Sequence, residues 1–70
     1  MYLARTKEWR EAQGLTQREL AAKAAISEVT IARLETGHST TPPTARKIAT
    51  ALGVSVADLL ERPPVPLAVR

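Results

Sequence analysis

Side chains able to do covalent or acid–base chemistry are scarce in this sequence, and those present are not grouped. No carboxylate pair and no nucleophile–base pair has the spacing that catalysis needs. His38 is the only histidine and cysteine is absent, so neither an imidazole nor a thiolate metal centre can be assembled. The residues with chemistry to offer lie between Ser27 and Thr36, and that chemistry is recognition. At about 100° per residue, Ile31 and Leu34 fix the buried side of a helix through this segment. Val29, Ala32, Arg33 and Thr36 then point the other way, with Glu28 and Thr30 at the flanks. Arg33 carries the fork of donors that grips guanine O6 and N7. Glu28 can accept from cytosine N4, and Val29 matches a thymine methyl. Ser27 caps the helix, where its hydroxyl and the nearby amides can reach a phosphate. Each residue also has a plainer reading. Single exposed valines are common, a glutamate at a helix start is favoured by the dipole alone, and Arg33 can be a solvated charge.

Such a helix needs a frame, and the punctuation of the chain supplies one. Gly14, Gly37 and Gly53 each follow a stretch of helical period, where glycine can take the left-handed conformation past a helix end. Thr16 with Glu19, and Ser55 with Asp58, have capping-box spacing. Thr41 precedes Pro42 and Pro43, which suit a first helical turn. The sequence therefore predicts five helices: Leu3–Gln13, Gln17–Ala24, Glu28–Thr36, Pro42–Leu52 and Val56–Glu61. No segment before residue 64 alternates at period two for long, so an all-α fold is expected. Pro63, Pro64 and Pro66 end the pattern, dividing the chain into a domain at 1–62 and a proline-rich tail at 63–70, in which Val65–Arg70 is a loose end, an edge strand or a segment packed across a dimer. The expected core is Leu20, Ala21, Ile26, Ile31, Leu34, Ile48, Leu52, Val54, Val56 and Leu59. Tyr2 and Trp9, seven apart, fall on one face of the first predicted helix, and the sequence favours core packing for both.

Length and composition narrow the classes further. Seventy residues hold one domain, with a core too small to spare an enzyme cleft. No apolar run approaches the roughly 20 residues of a membrane span. Met1–Arg10 lacks the apolar stretch of a secretory signal. A small, soluble, cytoplasmic domain without cofactor, metal or membrane partner is expected. Its net charge of +3 is common among ordinary domains and does not by itself select a nucleic-acid partner.

The second and third helices are separated only by Ala25–Ser27, which forces a steep crossing of the helix-turn-helix kind, with Ala21 as the small contact. The run Leu15-Thr16-Gln17-Arg18-Glu19-Leu20-Ala21-Ala22-Lys23-Ala24, followed by Ile26-Ser27, Thr30-Ile31, Leu34-Glu35 and Gly37, resembles the phage-repressor (Cro-like, or xenobiotic-response-element) helix-turn-helix domains. Thr44–Ala49 and Ala51–Ser55 resemble the fourth and fifth helices of that family, so the likeness covers about residues 3 to 61. It implies a compact five-helix, lambda-repressor-like domain that binds double-stranded DNA at a two-fold operator as a homodimer. The resemblance implies a transcriptional regulator, most simply a repressor, with the third helix in the major groove. Glu28, Val29 and Arg33 would then read bases. Gln17 would hold the DNA backbone, in a set with Arg18, Ser27, Thr30 and His38. It further implies an ion pair between Arg10 and Glu35, of structural rather than recognition value. Where the family has glycine in the turn this chain has Ala25, which costs roughly 1 kcal/mol if the backbone stays left-handed. The family's basic loop before the fourth helix is here His38 to Thr41, without permanent charge. Dimer contacts are expected from Val56, Leu60 and Leu67. The competing reading is a protein-interaction module on the same scaffold, such as an antitoxin or a coactivator-type adaptor.

Overall fold

The computed structural model describes residues 1–61; the expectations for the tail, including Pro63, Pro64, Pro66 and Leu67, lie outside them. Five helices follow in order: α1 (Thr6–Ala12), α2 (Gln17–Ala24), α3 (Glu28–Glu35), α4 (Pro42–Leu52) and α5 (Val56–Glu61). No strand occurs among the described residues, and none of their helices is long and apolar enough to cross a membrane.

Local chemistry sets most of the boundaries. At α2 the Thr16 hydroxyl accepts from the Glu19 amide at 3.0 Å, while the Glu19 carboxylate accepts from the Thr16 amide at 2.8 Å. The Thr16 amide, with the Thr16 hydroxyl beside it, holds the exposed Glu19 carboxyl below its ordinary range. Ser55 and Asp58 form the same reciprocal pair at α5. At α4 the expected cap behaves differently. The Thr41 hydroxyl meets the Thr44 hydroxyl at 3.2 Å and no backbone amide. Prolines in the first two helical positions remove two of the orphan amides of the helix start, one of them (position 43) an amide that a cap can serve.

The first helix starts three residues later than expected, at Thr6 instead of Leu3. The Arg5 amide donates to the Leu59 carbonyl at 2.8 Å, so this stretch is tied to α5 instead of continuing a helix. Leu3 is thereby driven into the core, where it is 1% exposed. Tyr2 lies outside the helix and is exposed, contrary to the expected packing. Trp9 does pack against the core, and its indole N–H donates to the Asp58 carbonyl at 3.2 Å.

The core gathers Leu3, Leu20, Ile31, Leu34, Ile48 and Leu59 around buried alanines of α2 and α4. Ile26, Val54 and Val56 sit at its rim instead of its centre, because each falls in a turn or at a helix start. Ala45, Ala49 and Ala51 complete α4's buried face, and their small side chains let α2 approach. Thr6 is fully buried with no partner for its hydroxyl among the described residues.

Candidate nucleic-acid interface

The turn between α2 and α3 sets how α3 is presented. Ala25 holds φ 59° and ψ 42°, a left-handed conformation that alanine tolerates poorly. The turn closes with the Ala25 amide on the Ala22 carbonyl and the Ile26 amide on the Ala21 carbonyl. Ser27 then caps α3, its hydroxyl accepting from the Thr30 amide at 3.2 Å and lying 2.8 Å from the Thr30 hydroxyl. Ile31 and Leu34 face the core at 0% and 2% exposure. That phase leaves Glu28, Val29 and Arg33 outside, with Val29 59% exposed, the most of any large apolar side chain among the described residues. Ala32 and Thr30 are half-buried. Arg18, Glu28 and Arg33 enter no ion pair among the described residues, so their charged ends are available.

Beneath this face lies a polar junction of three helices. Arg10 of α1 donates to Glu35 of α3 through Nε at 2.6 Å and Nη2 at 3.1 Å, a two-pronged contact. Its remaining nitrogen donates to the Leu15 carbonyl at 2.7 Å. Gln17 of α2 donates from Nε2 to the same Glu35 carboxylate at 2.9 Å. The Arg10 and Glu35 side chains are only 11% and 5% exposed. Burial alone would push the Glu35 carboxyl up. Hydrogen bonds from Arg10 and Gln17, with the charges of Arg10 and Lys7, outweigh it and hold the group below the ordinary carboxylate range. The bond to Glu35 raises the Arg10 guanidinium in turn, so both partners stay charged.

Gln17 is thus placed differently from a free side chain at a helix start. One of its two amide hydrogens is held by Glu35. The backbone amides of Gln17 and Arg18 are the orphan donors a helix N-terminus leaves, and neither meets an acceptor among the described residues. Sequence reasoning missed this Gln17–Glu35 bond because the residues are 18 apart and joined only by the tertiary fold. The resemblance that paired Arg10 with Glu35 carries no sign of it.

The loop after α3 is ordered by its own backbone. The Arg33 carbonyl accepts from the amides of Thr36 and His38 and from the Thr36 hydroxyl. His38 Nδ1 lies 3.2 Å from that carbonyl and 3.3 Å from the Thr36 hydroxyl. Beside it a hollow of about 330 Å³ is lined by Arg33, His38 and the hydroxyls of Thr30, Ser39, Thr40 and Thr44. Arg33 and His38 thus flank one recess, with Ser27 and Thr30 at the near end of α3. Gln17 and Arg18 belong to the start of α2 and do not line it. A family model described as helix-turn-helix matches residues 7–59 of the chain. No curated protein matches it.

Proposed function

We infer function from the premise that this chain belongs to the helix-turn-helix family of the Cro and phage-repressor type. That family is one of DNA-binding regulators of transcription, generally without enzymatic activity. We propose that the protein is a repressor that reads the major groove with α3, as a homodimer on a two-fold site. The observation that supports this most is the outward edge of α3. Glu28, Val29 and Arg33 stand exposed on a helix whose other side is locked by Ile31 and Leu34. An arginine with its donors uncommitted suits guanine, a glutamate suits cytosine N4, and an apolar side chain suits a thymine methyl.

Phosphate contacts would come from Arg18, from the amides at the start of α2, and from the second amide hydrogen of Gln17, oriented by its bond to Glu35. Ser27, Thr30 and His38 would add further polar contacts around α3. Such contacts set register and carry no sequence information. The α3–α4 loop brings hydroxyls instead of lysines, so the salt dependence of binding should be shallow for a protein of this type.

The test is selection of bound duplexes from a random pool, followed by binding of Arg33→Ala to single-base variants of the selected site at fixed salt. Arg33→Ala should cost about 1–3 kcal/mol on the preferred site and relax the preference at one position. Unchanged affinity and preference would remove α3 as the reader and bring forward the protein-interaction alternative.

A further inference from the structure

A second concave surface lies on the other side of α2. It is a groove of about 610 Å³ between α2 and α4, with no residue of α3 or of the following loop in its lining. Its rim carries Lys23, Arg46 and Lys47, all exposed, and no acidic residue. None of these three makes an ion pair or a side-chain hydrogen bond among the described residues. Its apolar lining is Ala24 and Ala51, both buried, with the exposed Pro43 beside them.

We propose that this groove docks an acidic peptide segment of a partner protein, with carboxylates placed around a small aliphatic anchor. Charge complementarity selects the sign of the ligand. Three uncommitted cations around one recess repel one another and gain from any anion set among them. The apolar lining selects the class. A phosphodiester backbone offers charge but nothing apolar for Ala24 and Ala51, whereas a leucine or valine side chain can rest on that apolar lining while flanking carboxylates reach the cations. Helix phase separates the groove from the reading surface. Lys23 is six residues beyond Gln17 on α2, about 240° around the axis and roughly 9 Å along it. A peptide here would therefore engage the protein while α3 stays free.

Peptides are selected from a random phage-displayed library against the full chain and compared on two variants. The recovered peptides should carry Asp or Glu on both sides of a Leu, Ile or Val. Lys23→Glu/Lys47→Glu should bind them at least tenfold more weakly. Thr50→Trp, at an exposed position in the lining, should do the same without altering charge. Thermal unfolding of both variants should match the parent, and Thr50→Trp should keep the parent's affinity for duplex DNA. Recovery of no peptide that both variants lose overturns the proposal. So does a parallel loss of DNA affinity in Thr50→Trp, which would make the groove part of the phosphate track.

Discussion

Ala25 is the residue at which two opposing effects can be weighed most directly. Its left-handed backbone costs about 1–2 kcal/mol relative to a helical or extended conformation. Glycine would remove that strain, but it frees the unfolded chain by about 0.4–1 kcal/mol. The balance favours Ala25→Gly by about 0.5–1 kcal/mol. Chemical denaturation should show a raised midpoint with an unchanged slope, and a lowered midpoint would mean that the turn relies on the alanine methyl. The departure from the family's glycine is visible in the sequence, and so are the caps at Thr16, Ser27 and Ser55, because each acts on amides within three residues. Gln17 is the counterexample. Its amide bonds a carboxylate that only folding brings near, and no local rule points there.

Among the elements, α1, α2 and α3 are joined through the one carboxylate of Glu35, and part of the pH dependence of the fold passes through it. In the unfolded chain a glutamate titrates near about 4.3; in the folded protein Glu35 titrates lower. Above the unfolded value both states are ionised and the contribution to stability is complete. As pH falls below it, the unfolded chain takes up the proton first, and stability declines until the folded value has been passed. Glu35→Gln should cost about 3 kcal/mol at neutral pH, at the border between bonds to charged groups and fully buried pairs. It should also flatten the acid limb of the stability profile. Profiles of equal slope in parent and variant would show that other carboxylates carry the acid dependence. The five helices and the phase of α3 follow from sequence pattern, whereas the late start of α1 does not. That boundary is set by the Leu59 carbonyl, 54 positions from the Arg5 amide it accepts from. The alanines of α4 were equally silent, since alanine suits a helix whether buried or not.

At the scale of the whole molecule, the proposed reading has one requirement. A single α3 reads only a few base pairs, so a specific site needs two copies spaced by about 34–36 Å. Sedimentation with a palindromic duplex should show two chains per duplex, and one chain per duplex would refute the homodimer. Val56 and Leu60, half-buried at the rim of the core, remain the described part of the expected pairing surface. The core itself, made of a few leucines and isoleucines around small alanines, has a calorimetric consequence. At about 0.7 kcal/mol per residue, melting a fold of this length absorbs only roughly 50 kcal/mol. So little latent heat spreads the endotherm over about 20 °C, and the peak is low and broad. The small melting entropy has the opposite effect on its position: each kcal/mol gained or lost displaces the peak by about 4–8 °C. A scanning calorimeter would therefore find the parent's transition diffuse, yet would separate the Ala25 and Glu35 variants cleanly, one on each side of it.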